Sequence, residues 1–240
     1  MADAHFKMVV LHSFRHKESG VIVKGYSDVG GMGAFYLKSG AGSRKHNLSI
    51  LHPLAVIQVM PSTHRFGEMV GIKEFESLLK LSSIRGNVSK MAIALFLSEI
   101  ITKTIREIEP NPGMFGFVEQ SIQELEGCTE GVANFHLLFL VKYIGMLGYL
   151  PEIPEETKGM LFDINSAGYT AGKTGNRFGK EESRLLWSLY RIPPANLGSL
   201  RISGEQRTKF LAEVLRYLSY HTGHDIHIDS LGVLHEVFSK

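Results

Sequence analysis

The chain has a single cysteine, Cys128, a single tryptophan, Trp187, and almost no net charge across its 240 residues. A lone cysteine excludes an intramolecular disulfide and a cysteine-rich zinc site, and it fits a reducing compartment. Lys and Arg number 26 against 24 Asp and Glu, so any nucleic-acid site must come from local clustering of charge rather than from the global balance. No apolar run reaches membrane-spanning length, and the opening Met1-Ala2-Asp3-Ala4-His5-Phe6-Lys7 lacks the basic and apolar regions of a secretory signal. The expectation is a cytoplasmic protein without membrane contact. No Ser-His-Asp or Cys-His set stands out by spacing, so catalysis has no positive support.

What is present divides at about residue 78. Over the first third, short β-branched and aromatic runs recur between Gly, Ser, Asn and Pro, which predicts strands at 6–14, 20–27, 33–38, 54–60 and 68–74. Five strands is the number in a Greek-key OB barrel. Gly30, Gly31 and Gly33 cluster at the second connection, where a small barrel needs sharp bends.

Beyond it the apolar period becomes helical. Asn87 is the expected cap of a helix carrying Ile93, Phe96, Leu97, Ile100, Ile101 and Ile105 and ending near Ile108. Asn111 and Pro112 open a second helix, which closes at Gly127. Residues 132–147 are apolar almost all round and predict a central helix. A hairpin over 160–164 and 168–170, a helix over 180–190, a helix opened by the capping box Ser203-Gly204-Glu205-Gln206 and a terminal helix around Leu231, Leu234 and Phe238 complete the reading. The fold class is therefore α+β: an N-terminal five-stranded OB-fold barrel over 1–78, then an all-helical domain with a small hairpin insertion over 79–240.

Two motifs compete with plainer explanations. Ala167-Gly168-Tyr169-Thr170-Ala171-Gly172-Lys173-Thr174 satisfies a relaxed phosphate-loop pattern, but that chemistry needs a buried parallel strand before the loop and a helix directly after it. Gly175-Asn176-Arg177-Phe178-Gly179 would break such a helix in its first turns. His221, His224 and His227, with Asp225 and Asp229, are candidate metal ligands only if the helix runs past Gly223; otherwise they form a polar helix exit. No cofactor or metal is expected.

The first fifty residues carry a basic bias. Lys7, Arg15, Lys17, Lys24, Lys38, Arg44 and Lys45 face only Asp3, Glu18 and Asp28. OB folds bind strands by combining positive charge with aromatic stacking, so Lys7, Arg15, Lys24, Lys38, Arg44 and Lys45 are the candidate DNA contacts, with Tyr26, Phe35 and Tyr36 as candidate stackers. Alternation would place some of these aromatics inside the barrel.

Several segments together resemble the RecO family of DNA-repair proteins, particularly its Bacteroidetes-type members. They are Met8-Val9-Val10-Leu11-His12-Ser13, Ala34-Phe35-Tyr36-Leu37-Lys38-Ser39-Gly40, Ile93-Ala94-Leu95-Phe96-Leu97-Ser98-Glu99-Ile100, Glu109-Pro110-Asn111-Pro112, Ala133-Asn134-Phe135-His136-Leu137-Leu138-Phe139-Leu140 and Leu231-Gly232-Val233-Leu234-His235-Glu236-Val237-Phe238. The resemblance implies a non-enzymatic recombination mediator of the RecF pathway. Such a protein binds single- and double-stranded DNA, anneals strands, associates with RecR, recognises the acidic C-terminal tail of single-stranded DNA-binding protein and helps RecA to load. Many relatives carry a four-cysteine zinc module, whereas residues 148–180 here contain no cysteine, so zinc is not expected. An acidic tail with an apolar end needs a hydrophobic pocket rimmed by Arg or Lys, for which Lys103, Arg106 and Lys142 are the candidates. A protein-binding scaffold without DNA affinity and a nucleotide-using enzyme built on the 167–174 loop stand as the alternatives.

Overall fold

Five strands form the N-terminal barrel: β1 (Phe6–His16), β2 (Gly20–Ser27), β3 (Gly31–Lys38), β4 (Val56–Pro61) and β5 (Val70–Ser77). They close in the order β1-β2-β3-β5-β4, with β4 pairing back onto β1. The β3–β5 pairing is parallel and the others are antiparallel. The computed structural model describes residues 5–16, 20–38, 48–62, 69–106, 108–149, 151–171 and 175–238. The chain divides into two compact units: Met1–Asn87 with Ala94–Glu126, and Val88–Ile93 with Gly127–Lys240.

In the first unit the two-residue period of the strands sends Phe6, Met8, Val10, Val23, Phe35 and Leu37 into the barrel, where Ile57, Val59, Val70 and Ile72 meet them. Each such side chain contributes roughly 1.5–3 kcal/mol by leaving water. A bulge between Val10 and His12 adds one residue to β1, so the strand changes phase at Leu11.

Three helices join the barrel in this unit: α1 (Ser82–Gly86), the later part of α2 (Val88–Thr104), and α3 (Pro112–Gly127) as far as Glu126. Asn87 is extended at the junction of α1 and α2. Helix α2 ends at Thr104, short of the expected Ile108, although the Ile105 N–H still donates to Ile101 O at 3.0 Å. Asn111 caps α3 as expected, its Oδ1 accepting from the Met114 N–H at 3.0 Å.

The second unit is built around α4 (Phe135–Met146), in which every residue from Phe135 to Val141 is buried. The expected helix start at Val132 is a 3₁₀ turn over Val132–Asn134. Around it lie the hairpin β6 (Leu161–Asp163) and β7 (Gly168–Thr170), then α5 (Lys180–Arg191), α6 (Gly204–Thr222) and α7 (Leu231–Phe238). The capping box at Ser203 is formed in both directions, with Gln206 N donating to Ser203 Oγ at 3.2 Å and Ser203 N to Gln206 Oε1 at 2.9 Å. The architecture is α+β, a five-stranded barrel followed by helices with a small hairpin. Among the described residues no helix is long and apolar enough to cross a membrane.

Candidate nucleic-acid interface

Residues directly opposite one another in a sheet share a face, so the pairing register reads out the outer surface of β1, β2 and β3. His12 pairs with Lys24 and Lys24 with Ala34; Phe14 pairs with Ile22 and Ile22 with Tyr36; His16 pairs with Gly20 and Gly20 with Lys38. Val23, Phe35 and Leu37, which alternate with these residues, belong to the barrel core, which fixes this array as outward-facing. An aromatic-aliphatic-aromatic row, Phe14–Ile22–Tyr36, therefore runs between two rows that carry His12 with Lys24 and His16 with Lys38. Phe14 is 39% exposed, and the His12 ring lies 5.7 Å from it. His12, Lys24 and Lys38 are exposed, and Tyr36 is half-buried.

The neighbouring strand extends the surface. Tyr36 pairs with Gly71 on β5, and exposed Lys73 follows inward-facing Ile72, with exposed Glu74 beside it. Among the described residues Lys24, Lys38 and Lys73 have no acidic side chain within ion-pair distance. Cations beside an aromatic row partly open to solvent are the elements with which OB folds hold a nucleic-acid strand.

The candidates from the sequence separate on this map. Lys24 and Lys38 belong to the array, and Tyr36 lies in its aromatic row. Phe35 and Tyr26 do not: Phe35 packs inside the barrel against Phe6 at 5.7 Å, while Tyr26 points outward but is covered by Phe115 of α3, ring on ring at 6.1 Å. Lys7 lies at the other end of β1, where its ammonium pairs with Glu119 at 3.1 Å and its N–H donates to Asp28 at 3.0 Å. Arg15 is exposed at the end of β1 but pairs with Val21, a core residue, and so faces away from Phe14. Lys17, Arg44 and Lys45 lie outside the described residues. The sequence reading missed Phe14, His12 and Lys73. The bulge that turns the first two outward leaves no composition signal, whereas the alternation after Ile72 was there to be read.

The two competing motifs resolve into structure. Gly168–Thr170 of the phosphate-loop pattern are a strand paired antiparallel with β6, and α5 begins only at Lys180, so the pattern does not form a loop between a parallel strand and a helix. Lys173 and Thr174 lie outside the described residues. Helix α6 ends at Gly223 with φ 73°, which separates the three histidines. The His221 ring packs on Tyr217 at 4.4 Å, His224 lies by Thr222 O at 3.1 Å, and exposed His227 pairs with Asp229. Among the described residues no three His, Cys, Asp or Glu side chains cluster in a way that could hold a metal ion.

The three candidate partner cations fall in two different units. Lys103 pairs with Glu99 at 2.8 Å along α2, Arg106 is exposed after that helix, and Lys142 lies half-buried on α4 in the second unit. That unit also holds a cavity of about 380 Å³ between α6 and α7, lined by Leu211, Leu215, Leu231, Leu234 and Phe238 together with Arg207. The Arg207 guanidinium donates to Ile202 O at 2.6 Å and Phe238 O at 3.0 Å, both neutral acceptors.

Comparison with known proteins gives consistent results. Residues 85–228, more than half of the chain, match the family model described as recombination protein O, C terminal. A protein of Azobacteroides pseudotrichonymphae named DNA repair protein RecO is 27% identical over 97% of this chain and 98% of its own. Proteins of the same name from Bacteroides fragilis and Flavobacterium psychrophilum are 29% and 27% identical, covering 96% and 97% of this chain and 97% and 98% of their own.

Proposed function

The chain belongs to the RecO family of DNA repair proteins, and on that premise we propose that it is a non-catalytic, cytoplasmic recombination mediator whose barrel binds DNA through the outer face of β1, β2 and β3. The observation that carries this reading is the array in which Lys24, Lys38 and His12 flank the Phe14–Ile22–Tyr36 row. The cations hold phosphates without reading sequence, so the protein takes single and double strands and brings complementary strands together. Its family membership supports RecR, the acidic tail of single-stranded DNA-binding protein and, indirectly, RecA as partners.

The apolar cavity beside Arg207 suits an acidic peptide with an apolar end better than Lys103, Arg106 or Lys142 do, because it supplies both a pocket and a guanidinium that, among the described residues, bonds neutral carbonyls.

Titration of a labelled single strand at several salt concentrations tests the DNA reading. Lys24→Ala with Lys38→Ala should weaken binding for all sequences alike and lower the slope of log affinity against log salt by about 1.4, at about 0.7 per lost contact. An unchanged affinity and slope in a folded double variant would remove this face as the DNA site.

A further inference from the structure

The hydroxyl end of the Tyr36 ring fills the space that a side chain would take at Gly20. A Cβ built on Gly20 would stand 2.3 Å from Tyr36 Cε2, 2.5 Å from its Oη and 2.6 Å from Cζ. Side chains on a strand ordinarily stand roughly perpendicular to the sheet. Tyr36 instead lies across β2, from its pairing partner Ile22 toward Gly20. Gly20 is not in the left-handed region that would favour glycine, so the room it leaves for the ring is its structural use.

Tyr36 is half-buried, so part of its ring stays open to solvent. Phe14 is the second aromatic of the row, two strands away, which at the usual strand spacing is roughly 10 Å. Ile22 forms an apolar floor between them. The bases of a duplex already stack on one another and pair at their edges, so only an unpaired strand can lay base faces on such a row while its phosphates reach Lys24 on one side and Lys38 on the other.

Resting on the reading of this face as the DNA site, we propose that Phe14 and Tyr36 are base-stacking platforms that make the barrel favour single strands over duplex, and that Gly20 is the positioning residue that lets the Tyr36 ring lie across β2. The test uses the full chain and three probes: a labelled oligodeoxythymidine strand, the same strand with abasic sites, and a duplex of equal length. Phe14→Ala and Tyr36→Leu should each lower single-strand affinity roughly 5- to 100-fold, leave duplex affinity within about twofold and leave the salt slope unchanged. Tyr36→Phe should bind as the wild type does. Tyr36→Leu should lose less affinity than the wild type when abasic sites replace bases. Gly20→Ala, with its thermal midpoint checked, should reproduce the selective single-strand loss of Tyr36→Leu. If both aromatic variants bind single strands normally while Lys24→Ala with Lys38→Ala weakens binding, the face acts through charge alone and the stacking proposal falls, leaving the DNA reading intact. Equal losses for single strand and duplex would also overturn it. If the lysine changes leave binding untouched, the DNA reading fails and the proposal fails with it.

Discussion

Arg177 and Asp163 pair at 3.6 Å with side chains only 11% and 12% exposed, and the pair joins the β6–β7 hairpin to the segment that follows it. The same carboxylate accepts from the Ser166 N–H at 2.9 Å and the Ser166 hydroxyl at 3.1 Å, which holds the hairpin turn. Backbone bonds from Ile164 N to Asn176 O at 2.8 Å and from Phe178 N to Phe162 O at 2.9 Å continue the attachment. A stretch without cysteine is thus held by an ion pair and a short ladder of backbone hydrogen bonds.

Asp163→Asn should therefore destabilise the second unit by about 2–4 kcal/mol, because it leaves a largely buried guanidinium without its counter-charge. The Ser166 N–H, with its hydroxyl and Arg177 adding to it, holds the Asp163 carboxyl below its ordinary value of 3.8. A depressed carboxylate stabilises the fold above the unfolded value and loses that contribution as pH falls through the folded one. Urea unfolding should show a constant gap between wild type and variant at neutral pH that closes only below about pH 4. A gap that closes nearer neutrality would mean that another group is responsible.

His136 provides a second pH dependence of different origin. It is buried in α4 against the Phe238 ring at 6.0 Å, and desolvation, helped by the positive charge of Arg207, lowers its pKa from 6.5 to about 3. The folded protein keeps this histidine neutral where the unfolded chain would protonate it. Stability should fall as pH drops below 6.5, by up to about 1.4 kcal/mol per pH unit for this one proton, and the loss should level off near pH 3. His136→Gln removes the titrating group, so its unfolding free energy should depend on pH less steeply than that of the wild type between those limits. Parallel pH curves for the two proteins would refute the assignment, whatever the absolute loss of stability.

Local signals in the sequence were reliable where a few neighbouring residues decide the structure. The strand expected at 20–27 is β2 end to end, Asn111 caps α3, and Ser203 with Gln206 caps α6. Contacts between distant residues were not legible. Tyr26 obeys the alternation of an outward-facing residue, yet Phe115, far along the chain, covers it. Lys7 reads as one more cation of a basic segment until Glu119, 112 residues later, takes its charge. The bulge at Leu11 costs one residue of register and changes which side of β1 faces out, so Phe14 and His12 could be placed beside Lys24 only from the pairing itself.

Glu126 is another long-range partner. Its carboxylate accepts from the Ser83 N–H at 2.7 Å and the Ile84 N–H at 2.8 Å, supplying from α3 the cap that Leu81 cannot give to α1. Glu126→Ala should cost about 1–3 kcal/mol, since two backbone donors lose a charged acceptor. Glu126→Gln retains one acceptor oxygen and should cost less. Thermal unfolding of the two variants orders them, and an equal loss in both would show that the charge and the second oxygen contribute nothing.

Arg44 and Lys45 follow the Lys38-Ser39-Gly40-Ala41-Gly42-Ser43 run in the sequence, and Lys38 ends β3 on the same outer face as Tyr36 and Lys24. On the proposed reading of that face as the DNA site, Arg44 and Lys45 would add phosphate contacts to those of Lys24 and Lys38. Each such contact releases condensed counterions, and affinity then falls as salt rises. Replacing Arg44 and Lys45 together by Ala should lower the slope of log affinity against log salt by roughly 1–2, at about 0.7 per single-strand contact, and should weaken binding for every sequence alike. Combined with Lys24→Ala and Lys38→Ala, the slope changes should add, because distinct phosphates release distinct counterions. The thermal midpoint and circular dichroism spectrum are measured alongside, so that lost binding is told apart from unfolding. A folded Arg44 and Lys45 double variant with unchanged affinity and slope would confine the phosphate contacts to the strand face itself, at Lys24, Lys38 and Lys73.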